Sequence, residues 1–282
     1  MKLLRYGPAG QERPGLLDAE GRVRDLSAHL ADIGPEALSA AALTQLKAID
    51  PHSLPLVEAP GRLGTPVAGT RQFIAIGLNY ADHAKESNMA IPEEPVVFTK
   101  AVSCLSGPND DVMLPRGSVQ TDWEVELGVV IGETTRYVDE DQAMAHVAGL
   151  VLINDLSERE YQLARGGTWD KGKGCETFGP VGPWLVTLDE VGDFDKLDMW
   201  LDVNGVRMQT GSTSTMIFRL PKLVSYVSQF LKLLPGDIIT TGTPPGVGMG
   251  MKPEPKFLKT GDAIRLGITG LGEQNQRVIA WT

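Results

Sequence analysis

The chain has 282 residues, 42% hydrophobic and 22% charged, which is ordinary for a globular protein and excludes a disordered chain. Its 26 basic and 36 acidic residues give a net charge of -10, which disfavours nucleic acid and anionic membranes as partners. Two cysteines cannot form a disulfide framework, so we expect Cys104 and Cys175 to be buried thiols. We find neither an apolar leader nor a run of about 18 apolar residues in the sequence, so we expect a cytoplasmic location.

The N-terminal part is predicted to form a small α+β domain over residues 1–65. Residues 1–6 and 14–18 have strand-like composition, and the apolar pattern of residues 36–49 predicts a helix. Residues 50–70 are rich in Pro and Gly, which is typical of a linker. We therefore place a larger domain over residues 66–282.

The larger domain begins with a predicted strand over 73–80 and a short helix over 81–88, and most of the remainder has strand character. Asp139 and Gln142 resemble a capping box that opens a helix to about residue 147. Pro221 suits the start of another helix, whose apolar face would contain Leu223, Val224, Val227, Phe230 and Leu231. Strands without regular βαβ alternation predict an α+β fold with mixed or antiparallel sheets, resembling a roll or sandwich.

Three carboxylates are the candidate metal ligands. Glu124 and Glu126 are two residues apart, so on a strand both point to one face. The apolar continuation to Ile131 indicates a buried strand, where a cation would relieve their repulsion; an exposed strand face is the alternative. Asp155 follows another apolar run. It either forms a turn through its side chain or supplies a third carboxylate to the metal site. Oxygen ligands alone predict Mg²⁺ or Mn²⁺, with Ca²⁺ as an alternative and Zn²⁺ less favoured.

His83 and Glu86 are the candidate catalytic dyad. They are three residues apart, and on a helix the carboxylate would orient the imidazole of a general base. The alternative is a surface histidine beside an acidic neighbour. Because the pair directly follows a predicted buried strand, where catalytic groups are commonly presented, we predict the catalytic role.

Two polar segments are candidates for substrate binding. Residues 156–174 are polar and glycine-containing, which predicts an irregular lid. This segment offers Arg159, Gln162 and Lys173 to bind a carboxylate or polarise a carbonyl, with solvated loop charges as the alternative. Residues 235–248 end a predicted strand, and the N–H groups of Gly242 and Thr243 could hold an anionic oxygen. An ordinary tight turn is the alternative there.

The motifs GLNYADHAKE, DWEVELGVVIG, INDLSEREYQ, KGCETFGPVGPW and LPGDIITTGTPPGVG resemble, in order and spacing, those of the fumarylacetoacetate hydrolase family over nearly all of residues 70–282. The resemblance implies the family's mixed-sheet fold, a homodimer and a bound metal. It also implies the metal ligands Glu124, Glu126 and Asp155, the water-activating dyad His83 and Glu86, and substrate contacts from Lys173, Gln162, Arg159 and Thr243. The chain departs from the family at Glu176, where members commonly have Asp.

The expected reaction is metal-dependent hydrolytic C–C cleavage of a small anionic 2,4-dioxo acid, giving pyruvate and a second acid. Within the family, residues 246–253 and the short N-terminal domain are similar to the branch that acts on 2,4-diketo-3-deoxy sugar acids, such as diketo-deoxyrhamnonate or diketo-deoxyfuconate. Members with nearly the same motifs hydrolyse acylpyruvates, decarboxylate oxaloacetate or isomerise 2-hydroxyhepta-2,4-diene-1,7-dioate. These reactions, and a non-catalytic binding protein for an oxo-acid, are the alternatives.

Overall fold

A computed structural model describes residues 1–82 and 91–282, so His83 and Glu86 lie outside the described residues. The strands are β1 (Lys2–Tyr6), β2 (Arg13–Leu17), β3 (Val23–Asp25), β4 (Phe73–Gly77), β5 (Val96–Lys100), β6 (Leu105–Ser106), β7 (Val112–Met113), β8 (Thr121–Asp122), β9 (Val125–Ile131), β10 (Val147–Asn154), β11 (Ser157–Glu158), β12 (Gly179–Pro180), β13 (Leu185–Thr187), β14 (Asp198–Val203), β15 (Val206–Ser212), β16 (Ile238–Thr240), β17 (Ala263–Ile268) and β18 (Gly272–Ile279). The α-helices are α1 (Ala40–Lys47), α2 (Asp170–Lys173), α3 (Leu188–Val191) and α4 (Leu220–Ser228).

Two larger sheets organise these strands. The first has nine strands in the order β3-β2-β1-β13-β10-β9-β16-β4-β5, and the second has five in the order β15-β14-β17-β18-β7. Most neighbours are antiparallel, whereas β16 runs parallel to β4 and β18 runs parallel to β7. The predicted α+β class with mixed sheets is confirmed. No helix in the described ranges is long and apolar enough to cross a bilayer.

The N-terminal strands extend the nine-stranded sheet. Strand β1 pairs antiparallel with β13, so that Leu3 faces Leu185, and Leu3 belongs to the same apolar core as the central strands. The boundary near residue 65 therefore falls between segments of one sheet, and the division into two domains stays a prediction. Helix α1 begins after Ser39, whose hydroxyl accepts a hydrogen bond from the Ala42 N–H, and this cap explains why the helix starts later than residue 36.

Strands β9 and β10 form the centre of the core and are buried along their whole length. Their Val, Ile and Leu side chains pack on both faces of the sheet, as expected for strands covered on both sides. Helix α4 buries Leu223, Val224 and Val227 against this core. The prediction for Phe230 is wrong, because the helix ends at Ser228 and the Phe230 side chain is 68% exposed.

Other local predictions are corrected by tertiary pairing. The prediction of a helix after Asp139 is wrong, because residues 143–146 form a single 3₁₀ turn. This turn has no side-chain cap, and the Gln142 N–H donates to the Asp139 carbonyl. Strands β15 and β18 were not predicted, because their polar sequences show little apolar alternation. They are formed by antiparallel pairing with β14 and β17. Cys104 is buried as expected, whereas Cys175 is only partly buried.

Candidate active site

Three carboxylates meet where strand β9 begins and strand β10 ends. Val125 faces Asn154 in the antiparallel ladder, and one step further the Asp155 N–H donates to the Glu124 carbonyl at 2.9 Å. Glu124 and Asp155 are therefore opposite each other, while Glu126 shares a strand face with Glu124. One carboxylate oxygen from each of the three residues lies within 4.8 Å of the other two, and all three side chains are buried. The structure thus assembles the predicted set, and the exposed-face alternative for the two glutamates is wrong.

Three buried cations neutralise this cluster. Lys173 Nζ lies 2.6 Å from Glu124 Oε2 and 2.7 Å from Asp155 Oδ2, so it bridges the two acids. Arg159 Nη2 lies 2.7 Å from Glu124 Oε1. Lys100 Nζ lies 2.6 Å from Asp155 Oδ1. Such a dense set of buried charges is stable only because each charge has an opposite partner.

Lys100, the last residue of β5, is the residue of this cluster that the sequence analysis missed. Besides its ion pair with Asp155, it donates to the backbone carbonyls of Leu156, at 3.2 Å, and Lys173. One side chain therefore ties the end of β10 to the helix that carries Lys173. The only signal in the sequence is a lysine at the end of an apolar strand, which is more commonly a solvated residue.

Glu126 is held by the turn that follows β16. The Thr240 hydroxyl and the Gly242 N–H donate to Glu126 Oε2, the latter at 2.8 Å. Gly242 has φ +93°, and a Cβ there would lie 3.0 Å from Asn79 Cβ, so glycine suits this position. In this structure the Gly242 N–H, predicted to hold a substrate oxygen, binds the protein's own carboxylate. The Thr243 hydroxyl donates a hydrogen bond to the Val125 carbonyl at 2.9 Å.

The buried charges move the pKa values of the two glutamates in opposite directions. Burial disfavours ionisation of Glu124, but Lys173 and Arg159 outweigh burial and lower its pKa to about 2. Burial, together with the charges of Asp155 and Glu124, raises the pKa of Glu126 well above its ordinary value. Burial disfavours the charge of Lys173, but Asp155 and Glu124 raise its pKa overall. Glu126 thus holds a proton more readily than Glu124 does.

Residues 156–174 contain more regular secondary structure than predicted. Strand β11 is followed by a π-helical turn over Glu160–Ala164 and then by α2. Gly172 allows close packing here, because a Cβ on it would lie 2.4 Å from the Glu158 carbonyl oxygen. Arg159, Gln162 and Lys173 are all buried, so they are not solvated loop charges. The prediction of an irregular backbone is wrong for this segment, whereas its role as a lid stays a prediction. The segment carries the three predicted side chains into the site.

Arg159 joins the carboxylate cluster to a second loop. Its Nε donates to Asp122 Oδ2 at 2.8 Å, and its Nη1 donates to Gln162 Oε1 at 3.0 Å. Asp122 in turn accepts the N–H groups of Gly248, at 2.7 Å, and Met249, at 3.0 Å. This buried carboxylate therefore fixes the guanidinium and the 248–250 turn together.

A cavity of about 390 Å³ opens onto the carboxylates. The predicted residues that line it are Glu124, Glu126, Asp155, Arg159, Gln162, Lys173 and Thr243. Glu176 is exposed and does not line the cavity, so the departure from the family's Asp lies outside it.

The donors suit a hard divalent cation. Glu124, Glu126 and Asp155 offer carboxylate oxygens, and no His or Cys of residues 1–82 and 91–282 belongs to their cluster. Asp155 Oδ1 is buried, forms an ion pair with Lys100 and accepts no hydrogen bond from the part of the chain that the structure describes. Clustered carboxylate oxygens are the ligands that Mg²⁺ and Mn²⁺ prefer.

Known proteins resemble this chain along its length. Residues 72–279 match the family model described as the fumarylacetoacetate (FAA) hydrolase C-terminal. A Burkholderia ambifaria protein whose provisional name calls it a hydrolase is 62% identical over 276 residues, covering 98% of each chain. A structure from Mycobacterium abscessus, provisionally assigned as a 2-hydroxyhepta-2,4-diene-1,7-dioate isomerase, has a TM-score of 0.84 at 35% identity, covering 100% of both chains.

A further similar structure contains a metal. Maleylpyruvate hydrolase from Sphingobium sp. SYK-6, in complex with manganese(II) and pyruvate, has a TM-score of 0.82 at 29% identity, covering 100% of both chains. This relative and the buried carboxylates of the present chain together support a divalent metal. Given the match of the family model over residues 72–279, the chain belongs to the fumarylacetoacetate hydrolase family.

Proposed function

We propose that the protein is a divalent-metal-dependent hydrolase that cleaves a C–C bond of a 2,4-dioxo acid to give pyruvate and a second acid. The observation that carries this proposal is the buried carboxylate cluster bridged by Lys173 in the 390 Å³ cavity. It combines a candidate metal site with a fixed cation beside it. The similar maleylpyruvate hydrolase, described with manganese and pyruvate, supports the same substrate head group.

The oxo-acid head is proposed to bind at the carboxylate end of the cavity. Glu124, Glu126 and Asp155 would hold Mg²⁺ or Mn²⁺, which supplies Lewis-acid stabilisation of negative charge when bound. Arg159 and Lys173 supply fixed positive charge for an anionic substrate, and both lie in a buried environment where such charges act strongly. Because they are already held by protein contacts, they need little rearrangement as charge develops.

The bond changes follow from the chemistry of a 2,4-dioxo acid. We propose that His83, oriented by Glu86, takes a proton from water as the water oxygen attacks the C4 carbonyl. The C3–C4 bond then breaks, its electron pair forms the pyruvate enolate, and C4 leaves as the second acid. Lys173 stabilises the charge of the enolate until C3 takes up a proton. The roles of His83 and Glu86 rest on the sequence, since both lie outside the described residues.

A substrate panel tests the proposal. With Mn²⁺ or Mg²⁺, we expect acylpyruvates or 2,4-diketo-3-deoxy sugar acids to yield pyruvate, and a chelator to stop the reaction. His83→Gln should lower hydrolysis by about a hundredfold or more, the usual contribution of a general base. Pyruvate release is measured by a coupled assay. Turnover of oxaloacetate or of an unsaturated hydroxy-dioate, without hydrolysis of any 2,4-dioxo acid, would instead indicate the decarboxylase or isomerase alternative, and binding without turnover would indicate a binding protein.

Metal binding is expected to release a proton from Glu126. Below its raised pKa the metal-free protein holds a proton on Glu126, whereas a metal ligand must be ionised. Below that raised pKa, metal affinity should fall about tenfold for each unit decrease in pH. In the metal-free protein, the raised pKa of Glu126 also stabilises the folded state. This stabilisation is complete below the ordinary glutamate pKa and is lost as the pH rises through the raised pKa. Calorimetric titration with Mn²⁺ in two buffers of different ionisation enthalpy counts the protons; equal heats in both buffers would contradict this prediction.

A further inference from the structure

The lining of the cavity has a polar part and an apolar part. In the polar part, Gln162 Oε1 already accepts a hydrogen bond from Arg159, and the Thr243 hydroxyl donates to the Val125 carbonyl. Away from the charged cluster, the lining side chains in the described part of the chain are apolar, apart from the exposed Lys252. These apolar side chains are Ile76, Leu78, Phe98, Leu163, Trp169 and Met249.

Phe98 and Trp169 form an aromatic wall on the apolar side. Their ring centres are 5.1 Å apart and their planes meet at 67°, an edge-to-face contact that favours both rings. Lys173 Nζ lies 5.4 Å from the centre of the Phe98 ring. The aromatic wall therefore begins beside the cation of the proposed chemistry, where the acyl part of a bound substrate would have to lie.

Gly77 leaves room for the indole ring. A Cβ at position 77 would lie 2.5 Å from Trp169 Cζ3, closer than any ordinary carbon contact. The absence of a side chain lets Trp169 pack directly against strand β4. The three atoms nearest to a Cβ at position 77 all belong to Trp169, so an alanine there would displace the ring and offers a second way to disturb the aromatic wall.

We infer that this aromatic wall selects substrates by their acyl group, favouring a planar or apolar chain over one that carries several hydroxyls. The inference rests on the proposed function and narrows its substrate to the acylpyruvate class. Several hydroxyls placed against Phe98 and Trp169 would lose water and could gain only the single indole N–H of Trp169 as a donor from these two rings, which is unfavourable. An apolar acyl chain in the same place gains van der Waals contact with the two rings. A single methylene group in such a pocket changes the ratio of kcat/KM values by roughly tenfold or more.

The test compares two substrates and three variants. We expect the unaltered protein with Mn²⁺ to cleave benzoylpyruvate with a kcat/KM at least about tenfold above that of a 2,4-diketo-3-deoxy sugar acid. Trp169→Ala should lower this ratio about tenfold, and Gly77→Ala should lower it in the same direction. Trp281→Ala is the matched control, because Trp281 is 50% exposed, stacks on Arg116 and does not line the cavity. If a variant shifts Lys173 and loses activity on both substrates alike, the ratio of the two kcat/KM values does not change.

Two results would overturn the inference: preference of the unaltered protein for the sugar acid, or an unchanged ratio in Trp169→Ala. Affinities for the same two compounds, measured by calorimetry with Mn²⁺, separate this outcome from failure of the proposed function. If neither compound is cleaved but benzoylpyruvate binds more tightly and loses that advantage in Trp169→Ala, the proposed function fails and the aromatic wall is supported. If neither compound is cleaved and no such preference exists, both proposals fail.

Discussion

Glu124→Ala is expected to abolish turnover, lowering kcat/KM by about a thousandfold or more, which corresponds to about 4 kcal/mol in the barrier. The substitution removes one of three candidate metal ligands and also the shared partner of Lys173 and Arg159. Both cations would then remain buried with one acid fewer, so the geometry beside the substrate would change as well. Mn²⁺ binding by calorimetry and pyruvate release by coupled assay measure the two effects separately.

Two further variants make the Glu124 result interpretable. Glu124→Gln keeps the shape of the side chain and removes its charge, so it should lose Mn²⁺ affinity even where Glu124→Ala fails to fold. Glu273→Ala is the control, since Glu273 pairs with Arg265 on the exposed side of β18, and surface pairs of this kind contribute little. Full activity in Glu124→Ala would show that the cluster does not hold the catalytic metal.

Lys100→Met is expected to reduce the free energy of unfolding of the metal-free protein by about 3 kcal/mol. The substitution leaves the Asp155 carboxylate without one of its two buried cations, and it removes the donors to the Leu156 and Lys173 carbonyls. Unpartnered buried charges and carbonyls are costly because the interior cannot replace water. Urea unfolding followed by circular dichroism measures the change.

The control for Lys100 is Lys47→Met. Lys47 pairs with Asp189 on the surface, and its side chain is 60% exposed, so we expect a change below about 1 kcal/mol. Lys100→Arg should recover part of the lost stability, because the guanidinium keeps the charge but changes the geometry. Equal stability of Lys100→Met and the unaltered protein would show that the buried lysine does not support this cluster.

Local patterns in the sequence were sufficient for part of the site. A spacing of two residues in WEVELG places Glu124 and Glu126 on one strand face, and the apolar run before Asp155 marks the end of a buried strand. Strand alternation is a property of neighbouring residues, so it can be read without knowing the fold. The same holds for the α+β class, which follows from many strand-like segments and few helical ones.

Contacts between distant segments could not be read in this way. Gly242 reaches the Glu126 carboxylate across 116 residues of sequence, and Lys100 reaches the Leu156 and Lys173 carbonyls across 56 and 73. Such contacts depend on which strands become neighbours, here β9 beside β10 and β16, and β5 at the sheet edge beside β4. The residue pattern within one strand does not specify which strand becomes its neighbour.

The sequence by itself determined the residue types of the candidate metal cluster, the strand-rich class and, through its motifs, the family resemblance. Only the tertiary structure decided that Lys100 joins the cluster, that Arg159 and Lys173 are buried beside the acids, and that Phe98 packs against Trp169. The reason is physical: side-chain direction along a strand is set by the local backbone, whereas burial and charge pairing are set by packing between segments far apart in the chain.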